Sequence, residues 1–515
     1  MSSASSASSA SSASVYTAAI DLGATSGRVI LGKWSRNQLT LTEAHRFPNE
    51  FRSLGEHDYW ELGTLWHEVQ VGLRKAVAAL PRGATLASIG VDTWGCDFVL
   101  LNDAGRLVFP VHAYRDQRSQ RGLQRLANTR AALERIYAAT GIPNVFYNSS
   151  LHLEETVTTC PAIEDLASRC LFLPDYFNFL LSGRMENELT IASTTQLLDV
   201  HSTDWSRATL NYFRIPPQWF SQPIFSGTKL GRLRASLRNG APALALTQVI
   251  AVPGHDTAAA YDAMPAAADG TDLYISSGTW SLVGFESDTP VLGPNALAAR
   301  ISNERIGDGR YRPLTNVVGL WLLEGTLKDF ASHPTNDREW AALVSAAEKL
   351  PSGPASRGPA RLPRRSSAKA DERRDDLLEV TDPAFAKPPS MRAAIDAQLK
   401  KRKIAPPKNL AGYTRLICDS IGQGHADAMR NFEKMAGRKF NRILIVGGGS
   451  KNRILCQATA DAAGVPVVSF ALEGTAVGNI ASQLIALRAV KDLPTFRRHL
   501  AANLKQRVYV PHGAT

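Results

Sequence analysis

The chain predicts an α/β protein in two duplicated parts, each a central sheet covered by helices. Apolar runs of strand length alternate with stretches of helical periodicity in both halves. Two segments of the same anatomy, apolar strand then a small hydroxyl- and Gly-rich turn then apolar strand, begin near Tyr16 and near Asp272. At 515 residues, the chain also exceeds what one ordinary core fills.

The elements follow in order. Tyr16–Ile20 and Val29–Leu31 read as strands flanking the turn Asp21–Arg28, and Leu39–Phe47 as a third strand. Leu62–Leu80 has helical spacing. Leu86–Val91 is a buried strand running into Asp92-Thr93-Trp94-Gly95, with Phe98–Leu101 expected as its neighbour. A helix is expected over Leu126–Ala139, ended by Gly141, and a short one over Tyr176–Leu181, stopped by Gly183. The pattern restarts with strands Val249–Val252, Asp272–Ile275 and Ser281–Phe285. Helix Tyr413–Glu433, strand Ile443–Val446, helix Ile454–Ala463, strand Val465–Ser469 and helix Ala476–Val490 complete the core. The expected division is a Ser/Ala tail at 1–14 and domains at 15–250 and 251–500, with a basic insertion at 352–376 in the second.

Composition narrows the function. Hydrophobic content is 44%, and no apolar run is long enough to span a bilayer, so no membrane partner is expected. The Ser/Ala tail lacks the basic and apolar regions of a signal peptide and reads as disordered. The 5 cysteines form no C-x-x-C pair, which disfavours a zinc site or a disulfide framework and makes a reducing cytoplasm the default. Net charge is +11, but the densest basic cluster, Arg357, Arg361, Arg364, Arg365 and Lys369, lies among Gly and Pro without a nucleic-acid-binding signature. It reads as a solvated insertion, with a nucleic-acid arm as the competing reading.

The motifs point to phosphate chemistry. The Asp21–Arg28 turn offers backbone N–H groups, two hydroxyls and an arginine for a phosphate chain. The carboxylate at its base suits a hydrated Mg²⁺. Gly447-Gly448-Gly449 follows a strand and is expected to open a helix. It matches neither the dinucleotide fingerprint nor the P-loop, so it is a phosphate-facing helix start or a tight turn. Asp256, beside His255 at a strand end, is either the carboxylate that accepts a hydroxyl proton during phosphoryl transfer or a helix cap. Trp94 and Gly95 could line a sugar, or Trp94 could be core. Tyr114–Arg118 could bind hydroxyls, although Arg118 reads better as an exposed ion-paired residue.

These residues resemble the FGGY family of carbohydrate kinases, in the sugar kinase/actin/Hsp70 fold superfamily, and most of all its rhamnulose-phosphorylating branch. The likeness runs through Asp21–Arg28, Asp92–Leu101, Tyr114–Ser119, Leu173–Phe177, Thr194–Leu197, Gly254–Ala258, Tyr274–Ser287, Gly319–Leu323 and Ile445–Asn452. It implies two RNase-H-like domains with an interdomain cleft, and transfer of a phosphoryl group from ATP, with Mg²⁺, to the 1-hydroxyl of L-rhamnulose. By matched motif, Ala24, Thr25, Ser26, Gly27 and Arg28 are expected at the ATP phosphates. Thr279, Asn316, Gly448 and Gly449 are expected at the nucleotide. Trp94, Gly95, His255 and Asp256 are expected at the sugar, Asp256 also as the base, and Asp21 at Mg²⁺ through water. Two positions depart from the branch's pattern. Glu324 stands where Gln is expected, and Asn148-Ser149-Ser150-Leu151-His152 stands where Asn-Thr-Leu-Tyr-Gln is usual. A kinase for L-fuculose, L-ribulose or L-xylulose, and a non-catalytic sugar and ATP sensor, are the alternatives the sequence leaves open.

Overall fold

The computed structural model describes residues 14–238, 240–267, 269–330, 334–350, 376–386, 388–470 and 473–512. The Ser/Ala tail and the basic insertion lie outside the described residues, apart from Ser14 and Asp376 at their edges. The chain forms two compact units: Met1–Pro265 with Glu304–Arg310 and Gly474–Asn503, and Ala266–Asn303 with Tyr311–Glu473 and Leu504–Thr515. Neither unit is continuous in sequence, so a single cut near residue 250 does not describe them.

In the first unit a six-stranded sheet runs in the order Gln38–Pro48, Ser26–Ser35, Val15–Leu22, Leu86–Thr93, Gln248–Ile250, Lys229–Arg232. The first three strands are an antiparallel meander, and Leu86–Thr93 and Gln248–Ile250 join parallel to Val15–Leu22. Ala18, Ala19 and Ile20 are fully buried, as are Ile89 and Val91. These unbroken apolar runs are what a sheet covered on both faces requires. Helix Leu62–Ala78 turns Leu65, Val69, Leu73 and Ala76 inward at helical spacing.

The second unit's sheet has the order Ser302–Arg305, Tyr311–Val318, Trp280–Gly284, Asp272–Ser277, Arg442–Val446, Val467–Phe470, Gln506–Tyr509, the last two residues of its first edge strand, Glu304 and Arg305, being counted with the first unit. The central five strands repeat the first unit's plan of third, second, first, fourth, fifth, antiparallel and then parallel. This is the expected duplicated RNase-H-like order.

Two elements differ from expectation. The helix expected over Leu126–Ala139 is two helices, Gln120–Ala127 and Arg130–Thr140. Asn128 and Thr129 are weak helix formers, and the Thr129 hydroxyl donates to the Arg125 carbonyl at 2.9 Å, closing the first helix. The second helix ends as expected at Gly141, with φ 69°. Phe98–Leu101 does not neighbour Leu86–Thr93. It pairs with Arg169–Phe172 in a separate two-stranded ribbon, because Cys96, at φ 79°, turns the chain away.

Helix Gly474–Ala486 returns late in the sequence to pack on helix Asp256–Asp262 of the first unit. A Cβ at Gly478 would lie 1.8 Å from the Ala259 carbonyl oxygen, so only glycine permits this approach. Gly63, by contrast, has open space around its missing Cβ in helix Leu62–Ala78. Gly478→Ala should therefore lower stability by at least the ~1–3 kcal/mol typical of overpacking. Gly63→Ala should raise it by about 0.5–1 kcal/mol. Thermal and urea unfolding of the two variants beside the parent checks this opposite-sign pair.

Candidate active site

The Asp21–Arg28 turn joins two antiparallel strands in which Asp21 faces Arg28 across the pair. The Arg28 guanidinium forms an ion pair and hydrogen bond with the Asp21 carboxylate. The Gly23 N–H donates to the Ser26 carbonyl at 3.0 Å, tightening the turn. Asn49, which the sequence did not single out, buttresses it: its Nδ2 donates to Gly23 O at 2.8 Å and its N–H to Thr25 O at 3.0 Å. A Cβ on Gly27 would lie 2.2 Å from the Phe47 ring, so this glycine serves packing. Thr25 is exposed, and Ala24, Ser26 and Arg28 are half-buried at the rim.

Three parallel strands of the first unit end together beside this turn. The Trp94 N–H donates to Leu22 O at 3.1 Å and the Thr93 N–H to Gly254 O at 2.9 Å. These bonds bring Asp21, Asp92 and His255-Asp256 to one sheet edge, and Asp21 and Asp92 are direct register partners. Asp92 is fully buried, and burial with the neighbouring Asp21 charge holds its carboxyl well above the usual range. Its Oδ2 accepts from Asn479 Nδ2 at 2.6 Å, while Oδ1 is buried without a hydrogen bond. Asp256 is the first residue of helix Asp256–Asp262, and the N-cap position belongs to His255, which makes no side-chain capping bond. The Thr257 hydroxyl donates to its Oδ1 at 3.0 Å. The capping alternative for Asp256 is thus absent from the geometry.

His255 sits between two carboxylates: Nε2 is 3.3 Å from Asp256 Oδ1 and Nδ1 is 3.2 Å from Glu304 Oε2. Gly95 lies alongside, where a Cβ would be 3.4 Å from His255 Nε2. Trp94, Gly95, His255 and Asp256 are therefore brought together. Trp94 presents less than the sequence suggested, because its Nε1–H donates to Asp97 Oδ2 at 2.7 Å and its ring packs on Trp60 at 4.3 Å. It is 5% exposed and supports the wall from behind. Trp60 Nε1–H donates to the same Asp97 oxygen at 2.6 Å, and burial pushes the Asp97 carboxyl up to about 7. The departing segment is close by: the Ser149 hydroxyl donates to Cys96 O at 2.6 Å. Arg118 corrects the expectation of an exposed ion pair. Its side chain is 4% exposed, pairs with Glu155 at 2.8 Å and donates to Thr156 Oγ1 at 2.7 Å.

The nucleotide candidates share an edge of the second unit's sheet. Strand Asp272–Ser277 and strand Arg442–Val446 are parallel and end side by side, so the Ser277-Gly278-Thr279 and Gly447–Gly449 turns meet. A Cβ on Gly449 would lie 2.1 Å from Ser277 Oγ and one on Gly447 2.6 Å from Ser277 O, whereas Gly448 has open space. Thr279, Asn316, Gly447 and Gly448 are exposed, and Gly449 is buried. The triple Gly does not itself open the helix. A short 3₁₀ turn, Gly448–Lys451, intervenes, and the Asn452 side chain caps helix Arg453–Ala463 by accepting from the N–H groups of Ile454 and Leu455. Glu324 is exposed on helix Trp321–Lys328, which leaves the same turn through the Leu320 N–H to Gly278 O bond at 2.8 Å.

Among the described residues no group of three or more His, Cys, Asp or Glu side chains is arranged to hold a metal ion. A carboxylate at a strand end with phosphate-facing N–H groups instead fits Mg²⁺, which keeps its waters and is completed by nucleotide phosphates. Asp21 is the fitting donor, since it closes the strand that enters the Gly-rich turn, whereas Asp92 is fully buried and its Oδ2 is taken up by Asn479. No helix among the described residues is long and apolar enough to cross a membrane.

These features define a sugar-kinase-type fold with an acid beside a histidine at a strand end. The chain belongs to the FGGY family of carbohydrate kinases: residues 16–261 match the family's N-terminal domain and residues 273–487 its C-terminal domain. It is 35% identical over 501 residues to a rhamnulokinase from Enterobacter sp. (strain 638), covering 97% of this chain and 95% of that one. It is 36% identical over 499 residues to a rhamnulokinase from Klebsiella pneumoniae (strain 342), covering 96% and 95%. Among solved structures it resembles a gluconate kinase from Lactobacillus acidophilus, with TM-score 0.77 and 15% identity over 97% of this chain and 94% of that one. A xylulose kinase from the same organism gives TM-score 0.75 and 15% identity over 96% and 94%.

Asp97 supplies a pH test of the wall. Its folded value, about 7, lies above the ordinary 3.8. The folded state therefore holds this proton more tightly than the unfolded chain, and the stability it contributes is full below about pH 4 and lost as pH rises through about 7. Asp97→Asn never ionises and keeps an acceptor for both indoles. Its stability relative to the parent should improve by roughly 3–5 kcal/mol between about pH 4 and about pH 8. Paired unfolding measurements across that range check it, and a difference independent of pH contradicts it.

Proposed function

We propose that this chain transfers the γ-phosphoryl group of ATP to the 1-hydroxyl of L-rhamnulose, giving L-rhamnulose 1-phosphate and ADP. Its likeness to the two bacterial rhamnulokinases over almost its whole length carries the choice of acceptor. The placement of Asp256 beside His255 and Gly95 at one strand end supports the chemistry.

Phosphoryl transfer asks a protein mainly for positioning and charge stabilisation. In this reading Asp256 accepts the proton of the attacking hydroxyl. His255 orients both Asp256 and the sugar, and Gly95 lets the ketose approach the backbone. Ala24–Arg28 hold the phosphates, with Arg28 shared between them and Asp21. Thr279, Asn316, Gly448 and Gly449 contact the nucleotide. Mg²⁺, held through water by Asp21, would neutralise charge on the transferring phosphates. We assign the enzyme to the cytoplasm, where its five free cysteines are in keeping with a reducing environment.

One observation favours a second acceptor. The segment that departs from the branch's pattern, Asn148–His152, is buried and bonded to Cys96 beside Gly95, so another ketose could fit the altered wall. A coupled ADP-release assay over a ketose panel decides between them. L-Rhamnulose should give the highest kcat/KM, by about tenfold or more, a margin of about 1.4 kcal/mol in transition-state binding. Preference for L-fuculose, L-ribulose or L-xylulose would replace the acceptor, and no turnover on any ketose would leave a sensor.

A further inference from the structure

The residue that fixes His255 comes from far along the chain. Glu304 lies at the start of a short segment, Glu304–Arg310, that belongs to the first unit although its neighbours on both sides belong to the second. Glu304 and Arg305 end strand Ser302–Arg305, and a tight turn follows: Ile306 N–H donates to Arg310 O at 3.0 Å and Gly309 N–H to Ile306 O at 2.8 Å. Arg305 anchors it, with its N–H on Ser193 Oγ at 2.9 Å and its guanidinium on Val200 O at 3.1 Å and Ser202 O at 3.0 Å. The Gly307 N–H reaches Asp262 Oδ1 at 3.3 Å, at the far end of the helix that Asp256 begins. A buried guanidinium with three carbonyl partners is a costly anchor for an ordinary turn. Here its result is that Glu304, 9% exposed, meets His255 Nδ1.

We propose that Glu304 is a positioning residue for proton acceptance, acting through His255 on Asp256. Glu304 Oε2 is the acceptor facing Nδ1 and Asp256 Oδ1 the acceptor facing Nε2, so the Glu304 carboxylate fixes the plane in which the ring meets Asp256. Thr257 donates to that same oxygen, which leaves Oδ2 as the oxygen for substrate. In the transfer step the sugar O1–H bond breaks as the O1–P bond forms. The proton passes to Asp256 Oδ2, and the bond between the γ-phosphorus and the bridging oxygen of ATP breaks to release ADP. Without the Glu304 carboxylate the ring loses the acceptor at Nδ1 that fixes its plane, and Nε2 is no longer held against Asp256 Oδ1. The other ionisable groups around the pair are Cys96 in the Trp94–Asp97 turn, Asp92 on strand Leu86–Thr93, and Glu188, which accepts from Gly254 N–H at 3.0 Å. The assignment rests on the kinase reading for its kinetic consequence, but not for its effect on the ring.

Two measurements test it. By NMR of the full-length chain, with His255 assigned through its own substitution, the parent should show an Nδ1–H resonance protected from exchange, and Glu304→Gln should move it upfield or broaden it away, because a carboxylate acceptor has gone. In the ADP-release assay the same variant should lower kcat about 10–100-fold with KM for the ketose changed less than threefold. Glu304→Asp should recover part of the loss. A His255 Nδ1–H resonance unchanged in Glu304→Gln overturns the proposal whatever the activity. A loss carried by KM rather than kcat, or no recovery in Glu304→Asp, reduces Glu304 to a structural residue and also overturns it. A changed Nδ1–H resonance in a chain that turns over no ketose supports the Glu304–His255 coupling and overturns the kinase reading instead.

Discussion

The backbone bonds from Trp94 to Leu22 and from Thr93 to Gly254, at 3.1 and 2.9 Å, set the geometry on which the first unit's site depends. They fix the ends of neighbouring parallel strands in one register, so that groups far apart in sequence share an edge a few ångströms deep. Each strand then contributes its terminal acid: Asp21 from the first, Asp92 from the second, Asp256 just past the third. A register slip of one residue would turn the Asp21 or Asp92 carboxylate to the opposite face.

Close acids repel, and the surroundings separate their states. Asp21 is paired to Arg28. Asp92 is buried and held high, with Asn479 on one oxygen. Asp256 is partly exposed and touched by His255 and Thr257. Asn479 belongs to a buried amide pair: Gln483 Nε2 donates to Asn479 Oδ1 at 2.7 Å and to Ala18 O at 3.0 Å, while Gln483 accepts from Ser88 Oγ at 2.6 Å. The helix that closes against the first unit thus carries its only two side-chain amides, four residues apart, to the sheet that holds the acids.

Much of this was legible in the sequence, for identifiable reasons. The central strands are apolar runs with no competing period, and their turns are marked by Gly and hydroxyl residues, so the duplicated order could be anticipated. The motif residues Asp21, Gly95, His255 and Asp256 fell together because each lies at or shortly past the end of a strand. The Glu304 turn was not legible: 48 positions separate it from Asp256, and only folding assigns it to the first unit. Asn49 and Asn479 were missed as single polar residues beside apolar runs. The i, i+4 pair Asn479 and Gln483 in an otherwise apolar helix was the available signal. Trp94 carried the right location and the wrong task, because the sequence does not show that Asp97 takes its N–H. The helix break at Asn128-Thr129 turned on local side-chain bonding that apolar spacing overlooks.

The central claim is that the acid at the third strand end takes the proton while binding is carried by other groups. The most direct measurement compares Asp256→Asn with the parent under single turnover, together with equilibrium binding of ATP and L-rhamnulose. The account predicts a loss of phosphoryl transfer of about 10²–10⁴-fold with both dissociation constants changed less than about threefold. Transfer at the parental rate in Asp256→Asn would contradict it.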